Sequence, residues 1–234
     1  MKHIFYTLFI AFLIFSCASE KTGNLTVNGQ IKGLRKGTLY LQKMNDTLLV
    51  SVDSIKLLGK DTFILKDDID SPQMYYLTFD GNTTQKSIMF FAEEGTITIN
   101  DHLEKFGINP KVSGSKNQEI LQKFYDIDRR FKNQSLDFIK EKFDASKANN
   151  QELVNQIEEK AKKILRKRYL FAVNYAISNT DSEVAPYIAL TELFNANVTY
   201  LDTINNSLTE KVKNSLYGKR LQKFIAEIKI SEKK

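Results

Sequence analysis

Around Val112-Ser113-Gly114-Ser115 the spacing of apolar residues changes from every second position to every third or fourth. A chain that switches period once in this way is built to fold as sheet first and helix afterwards. Upstream of the switch, Leu25, Val27 and Ile31 alternate with Thr26, Asn28, Gln30 and Lys32, and Leu39 and Leu41 alternate with Tyr40 and Gln42. Similar short runs follow at 48–55, 62–65, 74–79, 87–92 and 96–100. Successive side chains in a strand point to opposite faces, so each run marks a strand with one buried side. Turn-forming clusters separate the runs: Gly33 to Gly37, Asn45-Asp46, Gly59-Lys60-Asp61, Ser71-Pro72, Asp80-Gly81-Asn82 and Glu94-Gly95. The last two read as hairpin tips, because Gly and Asn tolerate positive φ. Strands this short and regular predict an antiparallel sandwich or barrel-like domain.

Downstream, Ile120, Phe124, Ile127 and Phe131 recur at helical spacing, as do Leu153, Ile157, Ala161 and Ile164, then Phe171 and Tyr175. Asp181 or Ser182 is placed to cap a helix that takes Pro186 in its first turn, where amides lack partners in any case. Ser207 and Glu210 have the spacing of a capping box for a helix over 208–217, and Gly218 is expected to break that helix before Leu221, Phe224, Ile225 and Ile228. Each helix has one apolar face to cover, which predicts a hairpin or bundle. The fold class expected is α+β, an N-terminal antiparallel β-sandwich or barrel-like domain followed by an all-helical extension. Charge divides at the same place: residues 18–113 carry 11 Lys/Arg against 12 Asp/Glu, and residues 114–234 carry 22 against 16.

The first residues have a different purpose. Lys2 precedes an apolar run from Ile4 to Phe15 that is too short for a bilayer core needing about 20 residues. Ile14-Phe15-Ser16-Cys17 resembles a bacterial lipobox, which implies cleavage before Cys17 and lipid on its sulfur. Cys17 is the single cysteine of the chain, so no intrachain disulfide and no Cys-x-x-Cys chemistry is available. The domain plan is a lipoprotein signal peptide over 1–16, a lipidated tether over 17–23, a β-sandwich-like domain over 24–114 and a helical region over 115–234. The expected location is the cell envelope, the outer membrane being favoured, with the mature domain in the periplasm or at the cell surface.

Gly29-Gln30-Ile31-Lys32-Gly33, Gly37-Thr38-Leu39-Tyr40-Leu41 and Val52-Asp53-Ser54-Ile55 leading to Phe63 carry a resemblance. So do Phe90-Phe91, Glu94-Gly95-Thr96-Ile97-Thr98-Ile99, and Val112-Ser113-Gly114-Ser115 with Asn117. In this order they resemble an N-terminal domain of unknown function that precedes a thioredoxin-like, AhpC/TSA-type domain in envelope thiol-disulfide interchange lipoproteins. Val184-Ala185-Pro186-Tyr187 and Ser215-Leu216-Tyr217-Gly218-Lys219 are similar to the connecting segment of those proteins. The similarity runs from about Leu25 to Ile230. In that family a thioredoxin domain with its Cys-x-x-Cys follows, whereas here Ser231-Glu232-Lys233-Lys234 stands where it would begin, and no catalytic residue carries over.

The residues themselves offer little chemistry. There is no Gly-x-Ser-x-Gly elbow and no phosphate-binding glycine loop. Beyond the leader the one histidine, His102, lies beside Asp101 and Glu104 and reads as a solvated side chain. Asp67-Asp68-Ile69-Asp70 is the densest acidic cluster but lacks the glycine and distal glutamate of a calcium loop, and reads as a solvated turn. No metal and no cofactor beyond covalent lipid at Cys17 is expected. Two groups are candidates for contact with other molecules. The basic residues Lys160, Lys163, Arg166 and Lys167, within a run that includes Lys162 and Arg168, suit anionic headgroups or an acidic partner. Tyr75 and Tyr76 put one ring on each face of a strand, and either is a candidate to stack on a ligand. Nucleic acid is not an expected partner for an exported protein. The function expected is a non-enzymatic binding or assembly module. The alternative is an accessory or truncated form of an interchange protein whose thioredoxin-like domain is supplied separately.

Overall fold

The structure, a computed structural model, describes residues 22–80 and 86–232. Eight strands form two four-stranded sheets. The strands are β1 (Leu25–Lys32), β2 (Lys36–Asn45), β3 (Leu48–Leu58), β4 (Thr62–Asp67), β5 (Gln73–Phe79), β6 (Ile88–Ala92), β7 (Gly95–His102) and β8 (Lys111–Ser113). One sheet has the order β4-β1-β7-β8 and the other β3-β2-β5-β6. Their inner faces close on Leu25, Val27, Ile31, Leu39, Leu41, Leu65, Tyr75, Leu77, Phe90, Ile97 and Ile99, all buried. The alternation seen in the sequence therefore marks the sandwich interior. The expected signal peptide over 1–16 and Cys17 of the expected tether lie outside the described residues, as does part of the Asp80-Gly81-Asn82 turn.

Two strand-level expectations change. The pairing of β1 with β7 is parallel over eight residues, from Leu25↔Gly95 to Lys32↔His102, within an otherwise antiparallel domain. Gly29 makes this possible: a Cβ there would lie 1.8 Å from the Ile99 carbonyl oxygen, and its φ of 152° suits glycine. Glu94-Gly95 is not a hairpin tip, since β6 and β7 belong to different sheets and the turn carries the chain from one to the other.

The helical region follows without a gap. Helix α1 (Lys116–Lys147) and α2 (Gln151–Ile177) form an antiparallel hairpin. Ser115 Oγ accepts the Gln118 N–H at the start of α1, and Asn150 Oδ1 accepts the Leu153 N–H at the start of α2. At 32 residues, α1 is about 48 Å long, so its far half extends past any sheet. Helices α3 (Val184–Glu192), α4 (Val198–Ser207), α5 (Glu210–Lys213) and α6 (Leu216–Ser231) fold back over the near half. The N-cap of α3 is Glu183, not Asp181 or Ser182, and it makes no side-chain capping bond; Ser182 Oγ, one residue earlier, accepts the Val184 N–H. The Ser207–Glu210 capping box does not form: Ser207 ends α4 with its hydroxyl on the Ile204 carbonyl, and Thr209 caps α5 instead. Gly218 breaks nothing; it sits in the first turn of α6, where a Cβ would lie 2.0 Å from the Val212 carbonyl oxygen.

At its β5 and β6 end the sheet β3-β2-β5-β6 is covered on both faces. On its outer side Met74 and Phe91 are buried in a second core with Leu121, Phe124, Ala185, Tyr187, Ile188, Tyr217 and Leu221. Phe91, Tyr187 and Tyr217 meet edge-on at centroid distances of 5.1 to 5.8 Å. The Tyr217 hydroxyl accepts the Met74 N–H at 3.0 Å, and Ser71 Oγ accepts the Leu216 N–H. Sandwich and helices thus form one packed body rather than two domains on a linker.

Candidate functional site

The helices meet across a buried ion-pair network. Asp128 on α1 accepts Arg168 Nε at 2.6 Å and Lys132 Nζ at 2.7 Å, and Glu192 on α3 takes both Arg168 and, at 3.3 Å, Lys132. Two cations and two carboxylates balance. Burial pulls the Arg168 guanidinium down, but the two carboxylates outweigh it and hold it above its usual value. Its position at the junction of three helices makes it a structural clasp. Arg168, read from the sequence as part of the basic surface, is thereby removed from it. Asp67 likewise leaves the acidic cluster: it is buried, pairs with Lys43 at 2.7 Å and accepts the Tyr75 hydroxyl at 2.8 Å. The expectation of a solvated turn holds for Asp68 and Asp70, which are exposed, but not for Asp67.

Tyr75 is fully buried between the sheets and closed to any ligand. Tyr76 is half-buried on the opposite face, within electrostatic reach of the Tyr125, Tyr187 and Tyr217 phenols. Two-sided coverage of this sheet explains both positions. The stacking role expected of Tyr75 is therefore excluded. His102 is exposed, while Asp101 turns the other way and accepts the Gly107 N–H at 2.8 Å, so the two do not form a catalytic pair. Among the described residues no three of His, Cys, Asp and Glu converge as metal ligands, and no helix is long and apolar enough to cross a membrane.

Lys160, Lys163, Arg166 and Lys167 are exposed on α2, and none of them has an ion-pair partner among the described residues. Lys162, by contrast, is engaged by Glu159 at 2.7 Å. The far half of the hairpin also leaves Leu136, Ile139 and Phe143 exposed along α1, over a small core of Phe138, Ala145, Val154 and Ile157.

A further concave site lies elsewhere. Where the β6 edge, the β8 edge and the first turns of α1 converge, a cleft of about 770 Å³ opens to solvent. Its floor and walls include Met89, Asn100, Ile108, Lys111, Gln118 and Lys123, with Arg129 at its end. Met89 is 48 % and Ile108 56 % exposed, which leaves two apolar contacts among amide and basic side chains. Lys111, Lys123 and Arg129 face a single lining carboxylate, Glu119, so the cleft is net positive. Gln118 ties α1 to β6, its Oε1 accepting the Phe91 N–H at 2.7 Å. Sequence reasoning missed this cleft because its residues come from three strands, a loop and α1 and belong to no motif. The signal present was the uncharged composition of 88–92 (Ile-Met-Phe-Phe-Ala), unusual for a strand that ends a sheet.

Residues 25–121 match the family model of a domain of unknown function, DUF4369. The match spans the whole sandwich and ends inside α1 at Leu121, a residue of the second core. No curated protein and no solved structure matches the chain.

Proposed function

We propose that this protein is a membrane-anchored cell-envelope lipoprotein that acts as a non-enzymatic binding or assembly module. The observation that carries the reading is the cleft between the two sheet edges and α1. It is large enough for a ligand and chemically mixed, with apolar, amide and basic groups and one carboxylate. Binding sites use such linings to orient a ligand, whereas catalysis needs a nucleophile or a base held by an orienting partner. Anchoring rests on the leader and on Cys17: two or three acyl chains hold a protein at a membrane where one chain is marginal. Outer-membrane placement goes with this reading. The exposed Lys160, Lys163, Arg166 and Lys167 supply a second surface, suited to anionic headgroups or an acidic partner protein.

The resemblance to interchange lipoproteins supports a second reading, in which a separate thioredoxin-like oxidoreductase is the partner. The segments that carry the helical part of that resemblance, 184–187 and 215–219, contribute Ala185, Tyr187 and Tyr217 to the core that covers the sheet, and Gly218 to the packing of α6 against α5. They account for a shared scaffold and contribute no reactive group.

The test is the intact mass of native protein extracted from membranes, followed by assay of the purified material. A chain beginning at Cys17 with added acyl mass, inert toward ester, peptide, glycoside and thiol-disulfide substrates, is the expected result. Unmodified Cys17, or turnover of any of these substrates, overturns the reading.

A further inference from the structure

The sandwich has four edge strands, and three of them are guarded. Strand β3 carries Lys56 and a bulge where Leu41 faces Asp53 but Gln42 faces Ser51; β4 carries Lys66 and β8 carries Lys111. Charged residues and bulges of this kind keep an edge from pairing with another chain. Strand β6 has neither.

Its open side is partly occupied by the protein itself. In an antiparallel pair the N–H and C=O of one residue point at the partner strand and those of the next point away. The Phe91 N–H points away from β5, because Gln118 takes it from α1 at 2.7 Å. The groups of Met89, two residues earlier, therefore point the same way, and Met89 lines the cleft. The Gln118 side chain does for Phe91 what an added strand would do for Met89.

We infer that the cleft binds an extended, acidic peptide segment, which adds to β6 at Met89 as a further strand. This rests on the binding-module reading above and names its ligand class. Main-chain pairing supplies affinity in such additions and side-chain contacts supply selectivity. Selectivity here comes from charge: Lys111 on β8 and Lys123 on α1 line the cleft with no ion-pair partner among the described residues, where Arg129 is held only by exposed Asp126 at 3.5 Å. The Gln118 amide nitrogen, whose oxygen is already engaged, is a further donor toward a peptide carbonyl. Ile108 and Met89 supply apolar contact for the alternate side chains.

The experiment selects a phage-displayed random heptapeptide library on the full chain in detergent and measures enriched peptides by fluorescence anisotropy. Three comparisons decide it: Met89→Pro, the double variant Lys111→Glu/Lys123→Glu, and peptides N-methylated at alternate amides. Met89→Pro removes the outward N–H without touching a bond to β5. Expected are peptides with acidic residues that lose at least about tenfold in affinity in all three comparisons. The inference is overturned if no sequence is enriched, or if enriched peptides bind the variants or tolerate N-methylation unchanged. It is also overturned if the cleft proves to hold a second copy, read as a dimer that Met89→Pro dissociates and peptides do not. Should Met89→Pro fail to fold by circular dichroism, the charge reversal and N-methylated peptides decide alone. A negative outcome with an anchored, catalytically inert protein leaves the module reading intact, whereas substrate turnover sinks that reading and not this one.

Discussion

Replacing Asp128 by alanine tests whether the charged clasp between the helices holds them as firmly as its geometry implies. Asp128 is 1 % exposed in its side chain and makes three close contacts: Arg168 Nε at 2.6 Å, Arg168 Nη2 at 3.3 Å and Lys132 Nζ at 2.7 Å. Breaking a buried pair by deleting one partner costs about 3–5 kcal/mol, because the survivor stays buried without its counter-charge. Two features place this site at the low end. Glu192 still holds Arg168, and half-exposed Lys132 can swing its ammonium into water. The expected loss is about 3 kcal/mol, or roughly 6–12 °C in Tm for a chain of this size. Urea denaturation followed by far-UV circular dichroism reads the free energy directly. The double variant Asp128→Leu/Arg168→Met is the informative control. It removes one charge of each sign, leaves the Lys132–Glu192 pair, and fills the site with apolar volume, so it should recover most of the loss. A single-variant loss below about 1 kcal/mol, the range of a solvated pair, would refute the reasoning. So would a double variant as unstable as the sum of its parts.

Three further outcomes are expected. Tyr217→Phe leaves the Met74 amide without its acceptor in the second core and should cost about 1–3 kcal/mol by urea titration; an unchanged midpoint would mean water replaces the hydroxyl. Burial pushes the Tyr125, Tyr187 and Tyr217 phenols above their usual range. The folded chain then keeps protons that the unfolded chain loses, so stability is full below about pH 10 and falls above it, by up to about 1.4 kcal/mol per pH unit for each phenol. Urea midpoints between pH 9 and 11.5 check the slope, and a flat profile contradicts it. Finally, the far half of the α1–α2 hairpin has a small core of Phe138, Ala145, Val154 and Ile157 and the half-exposed Lys142–Glu158 pair. Its amides near residues 138–158 should exchange with deuterium well before those near Leu121 and Ala172, which lie in the second core; equal protection along the hairpin would show that something else covers it.

Period alone located seven of the strands and the helical region, because alternation and helical spacing are imposed by the same burial that makes the core. What escaped it depended on contacts between distant segments. Nothing in Leu25–Lys32 announces a parallel neighbour 70 residues downstream; only Gly29, inexplicable as a turn, hints at a close backbone approach. Strands β5 and β6 read as one-sided, but Met74 and Phe91 on their outer face are covered by helices, which is why Tyr75 and Tyr76 looked available for a ligand. Arg168 and Asp67 read as surface charge because their partners, Asp128 and Lys43, are 40 and 24 positions away. The cleft was invisible for the same reason. The reading of residues 1–17 as an export signal and lipidated cysteine rests on local sequence pattern alone, lies outside the described residues, and says nothing of what the folded part binds.

The position of β1 bears on how this domain carries force. The first strand after the N-terminal segment is not at the rim of its sheet but in its middle, paired over six positions with β4 on one side and over eight with β7 on the other. A pull arriving through the N-terminus therefore runs along an interior strand and loads both ladders in shear, so that many hydrogen bonds must yield together. A strand at the rim would instead peel away one bond at a time. A domain tied to a surface by this end is fastened through a strand held on both sides, while the open β6 edge belongs to the other sheet and stays out of the line of tension.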